Sequence, residues 1–172
     1  MKTYNKIFNA FNKLIQTKSF DDITVLEICQ KANVSTSSFY RHYKDKYDVM
    51  NDNYKRILDQ YVNSKKNHNY EDVFINLFTM SKELHYLKNA FDYTGINSLG
   101  DFIYQYSYNT VIEMCKTKNI HFEDKDLLLL DVFCGGASIM YQHYILGKYD
   151  LSPKQAGHLL YQMFPENFKI SW

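Results

Sequence analysis

The stretch 23–46, ITVLEICQKANVSTSSFYRHYKDK, constrains this chain more than any other. It reads as two short helices joined by a tight turn. Thr24 followed three residues later by Glu27 is a capping box, which satisfies backbone N–H groups at a helix start. Val25, Ile28, Cys29 and Ala32 then fall at helical spacing and give one apolar face. Asn33 stands where that helix must stop, and Asn tolerates the left-handed backbone a sharp stop needs. Val34 is expected as a buried plug, and Ser35 as the cap of the next helix.

That next helix, roughly 36–43, is unusual in what it leaves outside. Phe39 and Tyr43 are four apart and face inward with Val34. The other side carries Thr36, Ser37, Tyr40 and Arg41, with Ser38, His42 and Lys44 beside them. Such a surface on so brief a helix fits a helix-turn-helix. There the second helix enters the major groove with small polar side chains at base edges and longer ones on phosphates.

The segment resembles the DNA-binding domain of the TetR family of transcriptional regulators. The matching residues are Ile23-Thr24, Ala32, the turn Asn33-Val34-Ser35, the pair Phe39-Tyr40, Tyr43, and Lys46. Asn33 replaces the family's usual Gly, and Leu26 stands where some members carry a polar or basic DNA contact. Over the remainder, the resemblance is to an all-helical layout. It implies an all-α protein: a three-helix helix-turn-helix domain at 1–47, then a larger helical effector-binding and dimerisation domain at 48–172. It also implies a DNA interface of Thr24, Ser35, Thr36, Ser37, Ser38, Tyr40, Arg41, His42 and Lys46. Lys46 opens the helix after the recognition helix. A cation is unfavourable at a helix N-terminus, so a phosphate partner is expected for it.

Composition agrees with an all-helical chain. Of 172 residues only two are Pro and six Gly, while 16 Tyr and 12 Phe supply a ring-rich core. The net charge of +1 does not announce nucleic acid, but its distribution is uneven. Residues 1–66 hold 12 Lys and Arg against 7 Asp and Glu, and residues 67–172 hold 8 against 12. A basic N-terminal part on an acidic remainder suits a DNA-facing module on a body that DNA avoids. Cys29, Cys115 and Cys134 are widely spaced and odd in number, so a reduced cytoplasmic setting is expected rather than a disulfide framework. No secretory signal or membrane-spanning run is read.

The rest of the chain reads as helices. A first one over 3–18 carries the stripe Ile7, Phe8, Phe11, Leu14 and Ile15. Others are expected over 46–64, 70–88 with a bend near 83–85, 99–116, 123–146, and from Ser152-Pro153 onward, a cap followed by a helix-starting Pro. Breaks are read at 65–69, at Gly95 and Gly100, over 118–122, and at Gly147. The helix around Leu127-Leu128-Leu129-Leu130 and Val132-Phe133-Cys134-Gly135-Gly136-Ala137 is apolar on nearly all sides, so more than one face must be covered. Gly135 and Gly136 make sense where another helix or a ligand approaches closely. Two such apolar helices at the end of the chain fit a homodimer formed through the last two helices. Two recognition helices held one groove repeat apart read a palindromic operator.

The expected function is therefore a dimeric DNA-binding regulator, a repressor, released from double-stranded operator DNA by an unknown small-molecule effector. Phe74, Phe78, Tyr104, Tyr108, Phe133 and Tyr141 are the expected effector pocket. A metal-responsive or partner-regulated variant is the alternative. His85, Cys115, His121, Cys134, His143 and His158 are scattered ligand types without an HxxxH or CxxC pair, and no metal site or cofactor is expected. A helical protein-interaction module without DNA binding is a further alternative. No GxSxG, HExxH or Gly-rich phosphate loop supports an enzyme.

Overall fold

The computed structural model describes residues 2–62, 67–84, 87–91 and 98–171; the side chain of Val62 lies outside that set. Within these residues every regular element is helical. They are α1 (Thr3–Ile15), α2 (Val25–Ala32), α3 (Thr36–Tyr40), α4 (Lys46–Val62), α5 (Tyr70–Glu83), α6 (Leu87–Phe91), α7 (Leu99–Thr117), α8 (Asp124–Ile145) and α9 (Pro153–Met163), followed by a short 3-10 turn, Glu166–Phe168. The expected breaks at Lys65-Lys66 and Gly95 lie outside the described residues, as does His85.

The helices start and stop where local chemistry dictates. Thr24 Oγ1 accepts from Glu27 N, Ser35 Oγ from Ser38 N, Asn69 Oδ1 from Asp72 N, and Ser152 Oγ from Gln155 N. Each cap satisfies an N–H that the helix itself leaves orphaned. Asn33 ends α2 with φ 52°, and Gly147 follows α8 with φ 76°, both in the left-handed region. Leu84 caps α5, so the bend expected near residue 83 is a full stop. The recognition helix is shorter than expected: α3 ends at Tyr40, and Arg41 is its C-cap.

The chain divides into two compact units, Met1–Ile57 with His85–Leu99, and Leu58–Leu84 with Gly100–Trp172. The boundary expected at residue 47 falls inside α4, whose residues 46–57 belong to the first unit. In that unit Ile7, Phe11, Ile15, Phe20, Ile23, Ile28 and Phe39 are fully buried. Val34 is half-buried rather than a sealed plug. Asn89 of α6 donates to the Ile15 carbonyl at 3.1 Å, closing the end of α1.

In the second unit α5 lies along α9. A Cβ placed on Gly157 would stand 2.6 Å from the backbone nitrogen of Ile75, so only glycine permits this approach. Ala156, Leu160 and Phe164 fill the inner face of α9. Leu159 and Met163 are exposed, so α9 has a second apolar face. Gly135 and Gly136 have no neighbouring atom within 4 Å of an added Cβ. Among the described residues nothing makes the close approach expected there.

Gly157→Ala is expected to destabilise the protein by about 1–3 kcal/mol, the range for overpacking a filled contact. Urea unfolding of the variant measures it, and an unchanged midpoint would mean that α5 and α9 are not in register at Ile75.

Candidate nucleic-acid interface

A five-residue helix needs support from outside itself, and α3 has it at both ends. At its start Ser35 accepts from the Ser38 backbone at 3.2 Å, and the Ser35 hydroxyl also bonds the hydroxyls of Ser38, at 2.9 Å, and Ser37, at 3.0 Å. At its end Phe39 is fully buried, and the Phe39 carbonyl accepts from the backbone of both His42 and Tyr43. Tyr43 is 6% exposed, and its hydroxyl donates to Asp52 on α4 at 2.9 Å.

Asp52 gathers three groups at a single oxygen. Tyr4 of α1 donates to the same Oδ2 at 2.6 Å, and Arg56 Nε lies 3.3 Å from it. The Tyr4 and Tyr43 rings stack nearly parallel, 5.5 Å apart. The Arg56 guanidinium lies over the rings of Tyr4 and Phe8, at 4.3 and 4.2 Å. Burial first, then the bond to the Asp52 carboxylate, raises the pKa of both phenols, so they remain donors. This cluster fastens α1, the end of α3 and α4 together.

The inner side being so held, the outer side is left for contact. Thr24, Ser35, Thr36, Ser37, Tyr40, Arg41 and His42 are exposed, and Ser38 is half-buried beneath the cap. Tyr40 shows 59% of its surface and Leu26 of α2 shows 58%. Glu27, beside them, is drawn away: its carboxylate takes the Lys18 ammonium, which holds its pKa below the usual carboxylate range, with the Thr24 backbone also contributing.

Lys46 has internal partners that its place in the sequence does not announce. Its ammonium does not extend outward. It donates to the carbonyls of Phe20, at 2.9 Å, and Asp21, at 3.1 Å, and sits 4.5 Å above the Phe20 ring. The tolerance of a cation at the start of α4 thus has an internal cause. The helix start itself is capped by Asp45, whose carboxylate accepts from Asp48 N at 2.9 Å.

Of the six rings expected to form an effector pocket, Phe74, Tyr104, Tyr108 and Phe133 pack against one buried cluster, and the Phe74 and Phe133 rings lie 6.0 Å apart. Phe78 is fully buried and packs edge-on against Tyr141 and Tyr144. Tyr104, Tyr108 and Phe133 pack around the buried cluster of Cys115, Leu130, Cys134 and Phe164, and the Tyr104 hydroxyl donates to Asp131. Phe74 also lines a cavity within the second unit. That cavity, about 60 Å³, lies among Leu58, Tyr61, Tyr70, Leu77, Ile103 and Tyr106 and their neighbours on α5 and α7. Tyr106 at its edge donates to Asp59 at 2.6 Å. Helical periodicity marks these residues as inward-facing, but not which stripes enclose a space.

Among the described residues no three His, Cys, Asp or Glu side chains are placed to hold a metal ion. His158 pairs with Glu71 at 2.7 Å, and His143 lies 3.3 Å from the Tyr149 hydroxyl. Burial keeps Cys115 and Cys134 as neutral thiols, the latter with its pKa pushed up to about 12. No described helix is long and apolar enough to cross a membrane.

A capped turn between two short helices, with a polar, outward-facing second helix on a buried aromatic base, defines a helix-turn-helix DNA-binding domain. The sequence model described as "Bacterial regulatory proteins, tetR family" matches residues 7–52. Similar solved structures extend over nearly the whole chain. A TetR transcriptional regulator from Rhodococcus sp. RHA1 is 17% identical, with 92% of this chain and 94% of that one covered and a TM-score of 0.62. The dihydroxyacetone kinase operon activator DhaS is 14% identical, covering 94% and 93%, with a TM-score of 0.61. Thermus thermophilus FadR, a TetR-family transcriptional repressor in complex with lauroyl-CoA, is 14% identical, covering 97% and 95%, with a TM-score of 0.60. No curated protein matches the chain. Residues 7–52 thus match the tetR-family sequence model, and the chain as a whole has the fold of these solved structures.

Removing the Tyr43 hydroxyl takes a donor from a carboxylate at the base of α3. Tyr43→Phe is expected to cost about 1.5–3 kcal/mol, the range for a hydrogen bond to a charged group. Chemical denaturation followed by circular dichroism tests this; a variant as stable as the parent would show that the Asp52 cluster contributes nothing.

Proposed function

We propose that this regulator binds a palindromic operator as a homodimer, represses from it, and is released when a small molecule occupies the body. The observation that carries the DNA reading is the exposed polar side of α3. Thr24, Ser35, Ser38, Tyr40 and His42 position the protein on phosphates. Thr36, Ser37 and Arg41 reach base edges or the flanking backbone. Substitutions at Ser37 or Thr36 then change which sequence is preferred, by about 1–3 kcal/mol per altered base contact. Tyr40→Phe weakens all duplexes alike. Selection from random duplexes with each variant separates the two effects, and an identical preference from Ser37→Ala and the parent would remove Ser37 from the base-reading set.

The dimer reading rests on an uncovered apolar face. On α8, Leu128, Leu129, Val132 and Ile139 are each more than half exposed, and on α9 Met163 is 67% exposed. Leu129, Val132, Gly136 and Met163 line one open groove between the two helices. A monomer has little reason to leave so contiguous an apolar surface in water. Val132→Asp is expected to give a monomer in sedimentation at micromolar concentration and to abolish operator binding. A dimer that persists in both Val132→Asp and Met163→Asp would place the interface elsewhere.

The effector reading rests on the cavity bounded by α4, α5 and α7. Its volume suits a compact ligand or the end of a slender one, and its walls are almost wholly apolar and aromatic. Occupancy releases DNA only insofar as the ligand prefers the body conformation in which the two recognition helices misfit the operator.

A further inference from the structure

Resting on the DNA-binding reading, we infer that Leu26 of α2 selects a thymine in each half of the operator by packing on its 5-methyl group. Leu26 is 58% exposed. One exposed leucine is ordinary on a protein surface; its place distinguishes this one. Among the described residues of the first unit, Leu26 and Tyr40 are the large hydrophobic side chains left exposed, and both stand in the helix-turn-helix. The others, from Leu128 to Met163, belong to α8, α9 and the connection between them.

The turn of α2 sets the direction of the side chain. Successive residues stand about 100° apart around a helix. Ile28, Cys29 and Ala32 form the buried line. Glu27 and Lys31 take one flank, where the Glu27 carboxylate accepts from the Lys18 ammonium just beyond α1. Leu26 and Gln30 take the other flank, and both are exposed. Leu26 stands in the first turn, two residues after Thr24, the exposed cap of α2.

In a helix-turn-helix the first helix crosses the DNA backbone while the second lies in the major groove. An outward side chain in the first turn of α2 then comes to the rim of that groove. The rim offers a leucine one apolar partner, the thymine 5-methyl group, which projects from the base edge beside its own strand. Leucine donates no hydrogen bond and carries no charge, so neither a phosphate nor the polar edge of another base suits it. Thr24, Glu27 and Gln30 beside it are polar, so no wider apolar patch is there to dock a protein.

Deoxyuridine tests this directly, because uracil keeps every hydrogen-bonding group of thymine and lacks only the methyl. Each thymine of an operator enriched by the parent from random duplexes is replaced in turn, in both halves at once. At one position the parent is expected to bind about fifteenfold more weakly, about fourfold for each methyl taken out of contact. Leu26→Ala is expected to bind the unmodified operator more weakly than the parent and to lose nothing further when that thymine becomes uracil. Bromouracil at the same position, with a halogen close to methyl in size, restores the affinity of the parent. The salt dependence of Leu26→Ala stays that of the parent, since no charge is removed. A parent that tolerates uracil at every thymine overturns the inference, and so does a Leu26→Ala with the same uracil penalty as the parent. The first of these outcomes needs no variant, so it stands even where Leu26→Ala folds poorly. If the parent binds no duplex in a salt-dependent way, the DNA reading itself fails.

Discussion

A helix of five residues has no stability of its own: fixing its first turn costs more than its few hydrogen bonds return. Everything that makes α3 usable must therefore come from its surroundings. Ser35 fixes the entry by accepting a backbone N–H that the helix cannot satisfy. Phe39 anchors the middle, and Tyr43 anchors the exit through Asp52. The oxygen of Asp52 that holds Tyr43 also holds Tyr4 and meets Arg56, so one carboxylate ties the exit of α3 to α1 and α4. Because the inner contacts are so fully committed, the outer face is free of structural duty, and its Thr, Ser and Arg side chains need satisfy nothing within the protein fold except the cap.

Local signals made much of this readable in the sequence. Capping residues act over three positions, and Thr24, Ser35 and Ser152 all accept from the N3 backbone as their spacing suggests. Asn33 takes up the left-handed conformation that its position demanded. Contacts between distant residues were not readable. Tyr4 and Asp52 are 48 residues apart, and Lys46 and Phe20 are 26 apart, so neither pairing leaves a periodic trace. Lys46 is the instructive case: no local signal shows that its ammonium meets the backbone carbonyls of Phe20 and Asp21.

The body shows the same division. Stripes of apolar residues identified α5, α7, α8 and α9, but periodicity reports that a residue turns inward, not what it meets there. Phe78 and Tyr141 meet each other and form solid core, whereas Tyr70 and Phe74, on the same helix as Phe78, border the cavity. On α9 apolar residues occupy two faces, one buried and one exposed. Only the register against α5, set by the glycine contact at Ile75, separates Leu160, which is buried, from Leu159, which is not.

Glycine makes the final distinction. At Gly157 the missing Cβ is used within the chain, since the Ile75 backbone occupies that space. At Gly135 and Gly136 nothing occupies it, and each glycine costs an isolated helix about 1 kcal/mol relative to alanine. That cost is offset only where another backbone comes near. The same stretch of α8 exposes Val132 and Ile139, one turn to either side. Two independent physical quantities, uncovered apolar area and unused backbone access, thus coincide on one face. A second copy of α8 crossing there would satisfy both, which is why the proposed dimer is placed on this face rather than on another apolar surface of the body.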